Sequence, residues 1–408
     1  MVRLSCIFIM RNLKFLLFIL VVPTSVVSAQ TAAYQVLEPG LEYTHIETSE
    51  GPQSIHVLKV QRDKPGWHWT TGLGDGRVYG LSATPTIAKS AAGALNARPL
   101  AAINGDFFAI ARGNYQGDPA GLQIVEGEVV SATSKRGCVW FDAAGQPNMG
   151  QVESKFRVLW PDDQGETPIG LNEPRGDGSA VLFTPTMAHN PKDAGKADFS
   201  TRTTDGQELL LEPVEENAWH PFQTGKAYRA RVVSIRSGGN SPITKTSVIL
   251  SLGPKLLDQV PALKIGDSLT IKLKTKPDLT GALNAIGGGE RLLADGQVAT
   301  DGKSKDRHPR SIIGWNKEHL FLVVVDGRAP KVAVGMTYLE LANLALSLHC
   351  TEALNLDGGG SSTLWADGKV LNTPSDGAPR LVANALVLVE MKEYSRGTQI
   401  FPPCRSKE

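Results

Sequence analysis

Apolar positions along this chain fall mostly into short runs separated by turn dipeptides, a pattern that predicts strands. In Ser54-Ile55-His56-Val57-Leu58-Lys59-Val60, Ile, Val and Leu can line one face of a strand or both. Strand-like runs recur at Leu100 to Ile103, Leu209 to Leu211, Tyr228 to Ile235, Thr246 to Leu252 and Ser268 to Leu273. Ser311 to Trp315 and Leu320 to Val325 read as a hairpin. The second of these is apolar without interruption, as in a central strand. Asp367-Gly368 is hairpin-turn chemistry between Thr363–Ala366 and Lys369–Leu371, and Val382 to Val389 is a last apolar strand. Two stretches read as helix. Thr84 to Leu95 has Thr84 as its N-cap and Pro85 at the first helical position. Thr337-Tyr338-Leu339-Glu340 is a capping box ahead of apolar residues reaching Leu348. Strands with few helices give an α+β class, a mixed β-sheet body in one large domain.

Composition narrows this picture. Of 408 residues 41% are hydrophobic and 20% charged, as in a soluble globular protein, and 42 glycines with 25 prolines fit many turns. The net charge of +1 supplies no global field for nucleic acid or anionic lipid, so no nucleic-acid partner is expected and anion binding must be local. Arg11 and Lys14, an apolar run from Phe15 to Val22 and Val27-Ser28-Ala29 make residues 1–29 a cleavable export signal. The signal reads more cleanly from Met10 than from Met1. The protein is expected to be secreted or periplasmic, with no membrane span after cleavage. Cleavage leaves Cys138, Cys350 and Cys404, enough for one disulfide whose pair the sequence does not name. Residues 30–99 are expected to be a β-rich segment packed on a main domain at 100–392, with a tail at 393–408. Pro161 to Asp205, rich in Gly, Pro, Asp and Asn, reads as a long surface excursion or the seam of an inserted lobe.

Candidate chemistry concentrates in loops that follow apolar strands. Asn355-Leu356-Asp357-Gly358-Gly359-Gly360-Ser361-Ser362-Thr363 sets one carboxylate before three glycines and three hydroxyls. Three successive glycines cost backbone entropy and suit close approach of a ligand, or a nest of N–H groups turned to an anion. Asn104-Gly105-Asp106-Phe107-Phe108 follows the strand ending at Ile103. Asp106 reads equally as an acid or base and as a turn-forming Asx residue. Phe107 and Phe108 read as core first and as a sugar-stacking platform second. Gly287-Gly288-Gly289-Glu290 is a second glycine triplet beside a carboxylate. His308-Pro309-Arg310-Ser311 faces Asp326-Gly327-Arg328 across the predicted hairpin. Arg310 has a fork suited to phosphate, with a structural ion pair to Asp326 or Asp306 as its alternative. His308 is a proton shuttle or a plain surface histidine. No metal set, nucleophile elbow or nucleotide loop is present; no cofactor requirement can be read, and the many aspartates leave calcium open.

In order along the chain these segments resemble the phosphodiester glycosidase family. The resemblance rests on Ala102–Phe108, Gly121-Leu122-Gln123-Ile124 with Gly127, Ile286–Gly289 with Leu292 and Asp295-Gly296, His308–Ser311 with Gly314, Val324–Arg328, Gly335-Met336-Thr337, Leu354–Ser362 and Val382–Ala385. Membership implies that 100–392 is a catalytic domain hydrolysing the bond between an anomeric carbon and a phosphodiester. A sugar phosphodiester or polysaccharide is then the expected partner, on envelope or extracellular polysaccharide. Residue chemistry assigns the roles: Asp357, then Asp106, with Glu290 as an added carboxylate, for catalysis. Asn104, Gly288, Gly289, His308, Arg310, Asp326, Arg328, Gly358, Gly359, Gly360, Ser361, Ser362 and Asn384 are expected to bind sugar or phosphate. Glu290 stands where proline is expected after the triplet. The alternatives are a phosphodiesterase cutting P–O and a non-catalytic polysaccharide-binding or envelope-assembly protein.

Overall fold

The computed structural model describes residues 33–49, 51–132, 134–187, 199–215 and 219–392. The expected export signal, the tail at 393–408 and Cys404 lie outside them. The centre of the described fold is four layers deep. One sheet of eight strands runs Gln35–Glu38, Leu41–Thr48, Gln53–Gln61, His319–Val325, Arg310–Trp315, Glu352–Asn355, Arg291–Ala294, Gln297–Val298. A second runs Lys369–Val370, Leu364–Ala366, Ala97–Asn104, Asn384–Met391, Trp67–Leu73. Period-2 alternation tells each strand which layer it faces. In the first sheet Leu58, Val60, Leu320, Leu322 and Val324 point to a core shared with Ala101, Ile103, Leu386 and Leu388 of the second. Ile55, Val57, Phe321, Val323 and Val325 point the other way, onto the helix Tyr338–Ser347 through Leu341, Ala342 and Ala345. On the second sheet Ala102, Ala385, Val387 and Val389 face the helix Thr84–Ala94 through Ile87, Ala88 and Ala92. Leu320 to Val325 is therefore apolar throughout because both of its faces are covered. Each fully buried Leu or Val there contributes about 1.5–3 kcal/mol.

Both helices form where expected. Thr337 Oγ1 accepts the Glu340 N–H at 3.3 Å and Glu340 Oε2 accepts the Thr337 N–H at 2.9 Å, the reciprocal capping box. The first helix starts one residue earlier than its hydroxyl cap implied: Ala83 is the N-cap and Thr84 is already helical. The body is richer in strand than an α+β label suggests, and nearly every pairing is antiparallel; Glu166–Leu171 with Ala180–Phe183 is parallel.

The third sheet, of eleven strands, contains a closed ring. From Pro147–Leu159 it passes through Glu166–Leu171, Ala180–Phe183, Val248–Leu252, Gln207–Pro213, Ala227–Ser237 and Ser268–Lys276, and returns to Pro147–Leu159. Phe156, Val158, Leu171, Leu182, Leu209, Val232, Leu250 and Ile271 fill this seven-stranded barrel. Pro161 to Asp205 thus supplies two barrel strands, and the barrel is inserted between Ser134–Phe141 and Asn284–Gly287, which pair with each other. Residues 35–99 are integral, giving strands to both central sheets, and a boundary at 100 would cut the strand Ala97–Asn104. Cys138 and Cys350 are buried free thiols, so no disulfide joins them.

Candidate functional site

Two carboxylates come together where the strands Ala97–Asn104 and Glu352–Asn355 end. The Asp357 N–H donates to Gly105 O at 2.9 Å, and Asn104 Nδ2 donates to Asp357 O at 2.7 Å. Asn104 Oδ1 accepts from Ser311 Oγ (2.7 Å) and from the Thr363 N–H (3.0 Å), so one buried amide ties three chain segments. Asn384 does the same for the other loop: its Oδ1 accepts the Asp106 N–H at 2.7 Å and its Nδ2 donates to Gln123 Oε1 at 2.8 Å. Both asparagines act as structural ties.

The two aspartates have matched geometry. Asp106 Oδ1 accepts the Phe107 N–H at 2.7 Å, and Asp357 Oδ1 accepts the Gly358 N–H at 2.8 Å. Asp106 is 1% exposed, and its Oδ2 has no partner at hydrogen-bond geometry, although the Gly121 amide stands close enough to act on the carboxyl. That oxygen lies against Gly121 and Gly287; a Cβ on Gly121 would stand 2.9 Å from it, which explains a glycine there. Burial pushes the Asp106 carboxyl up to about 7, opposed by Arg136 and by the Phe107 and Gly121 amides, and reinforced by Asp357. Burial also raises Asp357, against Ser361, the Gly358 amide and the charges of Arg380 and Arg136. Ser361 stands beside this carboxylate without hydrogen-bond geometry.

Arg136, which the loop motifs did not single out, acts on both carboxyls. Its guanidinium lies 4.4 Å from the Phe107 ring centroid, and its Nε donates to Gly288 O at 3.1 Å. Phe107 is thus a platform for an arginine. Two further arginines face the Asp357 loop. Arg328, at φ 63°, lies over Gly359, where a Cβ would be 2.8 Å from its Nη2. Arg380, paired with Asp376 at 2.7 Å, lies over Gly360. Gly359 itself has φ 63°, in the left-handed region where a side chain would be strained. The buried hydroxyls of Ser361, Ser362 and Thr363 and Asn355 Oδ1 make no hydrogen bond within the protein. Such a concentration of unsatisfied buried polar atoms asks for an explanation.

Other expected residues sit differently. Four of the triplet amides are spent within the fold. Gly288 and Gly289 donate to Gly137 O and Asn355 O, both at 2.8 Å, Gly359 donates to Pro309 O at 2.8 Å, and the Gly358 amide serves Asp357. Arg310 is buried, donating to Met336 O (3.0 Å) and Asp306 O (3.1 Å), with its guanidinium 4.2 Å from the Tyr338 ring centroid. Its partners are carbonyls, and neither carboxylate alternative is used. Asp326 is saturated by His56, Ser54, Asn372 and Thr373. His308 is exposed in front of Arg310 and Arg328; desolvation and those two charges lower its pKa. Glu290 is half-buried at the turn after the second triplet, where its carbonyl accepts the Asn355 N–H at 2.9 Å.

Among the described residues no group of three or more His, Cys, Asp or Glu is arranged to hold a metal ion. No helix there is long and apolar enough to cross a membrane. A cleft of about 950 Å³ on the barrel, lined by Glu212, Trp219, Arg231 and Arg236 among others, carries none of the expected site residues.

Residues 225–389 match the model of the phosphodiester glycosidase family, so the family read from the motifs is shown over that stretch. The family points to a hydrolase. The Asp106 loop precedes the matched segment. A Bacillus subtilis (strain 168) protein, the SPbeta prophage-derived uncharacterized protein YomE, is 36% identical over 114 residues, 26% of this chain and 18% of that protein. The fold resembles a hypothetical protein from Synechocystis (TM-score 0.68, 20% identity, 89% of this chain and 64% of the other). It also resembles a protein of Burkholderia pseudomallei K96243 described as exported (TM-score 0.61, 21% identity, 83% and 74%). The catalytic domain of zebrafish N-acetylglucosamine-1-phosphodiester α-N-acetylglucosaminidase aligns at TM-score 0.41 with 17% identity, over 88% of this chain and 86% of that domain. The chain therefore spans less than two thirds of the length of YomE and of the Synechocystis protein.

Proposed function

We propose that this chain is an exported hydrolase that cleaves the glycosidic bond of a sugar-1-phosphodiester on envelope or extracellular polysaccharide. The observation that carries the reading is the Asp106–Asp357 pair: two interacting carboxyls with raised pKa, one oxygen unpartnered, beside Arg136 and a run of unpartnered hydroxyls. Arg328 and Arg380 over the glycine triplet give the phosphate its counter-charge, whereas Arg310 is held on the carbonyls of Met336 and Asp306. The hydroxyls of Ser361, Ser362 and Thr363 meet the sugar hydroxyls.

In this reading the ionised Asp357 faces the anomeric carbon as positive charge develops there. Asp106, titrating near neutrality, takes a proton from the attacking water. Water oxygen bonds to the anomeric carbon, the C–O bond to phosphate breaks, and the phosphate leaves as a monoester anion with the bonding pair. A leaving group that is already a stable anion needs little acid help, which frees Asp106 to act as base. Purified protein assayed on sugar-1-phosphodiesters in oxygen-18 water tests this. Label in the sugar supports C–O cleavage. Label in the phosphate makes the chain a phosphodiesterase, and glycan binding without turnover makes it a binding protein.

A further inference from the structure

Behind the glycine loop lies a buried polar chain that starts at His45 and ends on the backbone of Ser362 and Leu364. His45 Nε2 is 3.0 Å from Ser54 Oγ. Ser54 Oγ donates to Asp326 Oδ2 at 3.0 Å, and His56 Nε2 is 3.1 Å from the same oxygen. Asp326 Oδ1 accepts from Asn372 Nδ2 at 3.1 Å and from the Thr373 N–H at 3.2 Å. Asn372 then donates to Ser362 O at 3.1 Å and accepts the Leu364 N–H at 2.8 Å.

Ser54, His56 and Asp326 are the residue types of a nucleophilic triad, but the geometry excludes one. A triad aspartate holds the ring nitrogen opposite the serine. Here serine and aspartate share Nε2, while Nδ1 meets Tyr43 OH at 2.8 Å. Ser54 is also 5% exposed, with no route to a substrate. The network reads instead as a mount. A carboxylate accepts only, so Asp326 fixes which end of the Asn372 amide carries the NH2 group. That leaves Asn372 Oδ1 for the Leu364 amide. Asn104 grips the same loop from the other side through Thr363 N–H and Asp357 O. The three unpartnered hydroxyls are therefore held between two asparagines.

We infer that Asp326 is a positioning residue: oriented by His56 and Ser54, it sets the Asn372 amide and through it the Ser361–Thr363 hydroxyls beside Asp357. This rests on the Asp357 loop being the reaction centre, and it replaces the expectation that Asp326 touches substrate.

Two measurements on the whole protein separate the mechanical claim from the functional one. Hydrogen exchange needs no substrate. In Asp326→Asn, amides of 357–364 are expected to exchange at least about tenfold faster, while 97–104 and 384–391 stay protected, because only one clamp is released. Unchanged exchange at 357–364, or equal loosening of all three segments, overturns the inference. On a sugar-1-phosphodiester, Asp326→Asn and Asn372→Ala are each expected to lower kcat about 10- to 100-fold with KM held within about threefold, as displacement of a reacting group by about 1 Å does. The double variant should be no slower than the slower single one. Multiplicative losses show that Asp326 does not act through Asn372 and sink the proposal. If Asp326→Asn does not fold, His56→Gln and Asn372→Ala carry both measurements. Should wild type turn over no sugar phosphodiester while 357–364 still loosens, the glycosidase reading fails and the mount stands.

Discussion

Asp106 and Asp326 are both buried aspartates just past the ends of central strands, and they behave as opposites. They are 1% and 5% exposed. Asp326 has both oxygens saturated; burial would raise its carboxyl, but the His56 hydrogen bond and charge, Asn372 and the Thr373 amide hold it below the usual range. Asp106 has one oxygen saturated and the other unpartnered, and its carboxyl is raised to about 7. Burial alone separates structure from chemistry poorly. Unspent hydrogen-bonding capacity separates them here: one carboxylate is finished within the fold and the other keeps an oxygen without a partner at hydrogen-bond geometry, as the proposed role requires.

The sharpest break in that comparison comes at Asp357. Asp357→Asn keeps the shape of the loop and removes the charge that the proposed mechanism sets against the anomeric carbon. Turnover should fall about a thousandfold or more, with the melting temperature within a few degrees of wild type. Full activity in the variant would remove Asp357 from the mechanism.

Asp106→Asn should cost about a hundredfold, and its pH dependence tests the contrast with Asp326. In wild type, kcat/KM should rise with pH through about 7 as Asp106 ionises, and the variant should lose that limb. Stability gives the opposite signs. Asp106 holds its proton more tightly folded than unfolded, so the burial cost is absent near pH 4 and complete above about pH 7. Asp106→Asn should therefore melt higher than wild type at pH 8 and level with it at pH 4. Asp326 has a lowered pKa, so its stabilisation is present at neutral pH and lost as pH falls through its folded value. Asp326→Asn should melt lower at pH 7, with the gap closing in acid. Parallel pH slopes for the two variants would erase the distinction.

Arg136 and Arg310 extend the comparison to cations. Arg136 acts on the carboxyls of both Asp106 and Asp357, whereas Arg310 gives its hydrogen bonds to two backbone carbonyls under Tyr338. Removing Arg136 takes away a charge that lowers Asp106, so Arg136→Ala should move the acid limb up by about one pH unit and slow turnover about tenfold near neutrality. Arg310→Ala should instead lower stability by about 2–3 kcal/mol, the range for hydrogen bonds from a charged donor, seen as a lower denaturant midpoint. A raised KM at unchanged stability would restore Arg310 to the phosphate.

The sequence made the strands legible because their apolar alternation had to match layers on both sides, and it marked the helix at Thr337 because both halves of the capping box are spelled out. The two aspartate loops were legible for a similar reason: glycines with no packing value stood beside acids. Arg136 was hidden. Ser134-Lys135-Arg136-Gly137 carries no glycine run or acid, and only the pairing of Ser134–Phe141 with Asn284–Gly287 brings it to Gly288. The closed barrel was hidden too, since closure depends on pairing Glu166–Leu171 with Pro147–Leu159, a register no local pattern encodes. Arg310 shows the reverse error: a good phosphate ligand by chemistry is a good carbonyl ligand by the same chemistry.

Glu290 should be the mildest site of all, and the reason returns to unspent capacity. Its backbone carbonyl is committed to the Asn355 amide, which any residue at that position preserves. Its side chain is half-buried, and Asp106 and Asp357 answer mainly to burial, neighbouring amides, Ser361 and arginines, with Asp357 also raising Asp106. Glu290→Gln keeps the size and removes the charge, so kcat/KM should stay within about twofold and stability within about 0.5 kcal/mol, as for an ordinary surface substitution. A tenfold loss of kcat at unchanged stability would mean that a carboxylate with solvent access still shapes the reaction. The line between spent and unspent acids would then have to be drawn by distance to substrate instead of by partners within the fold.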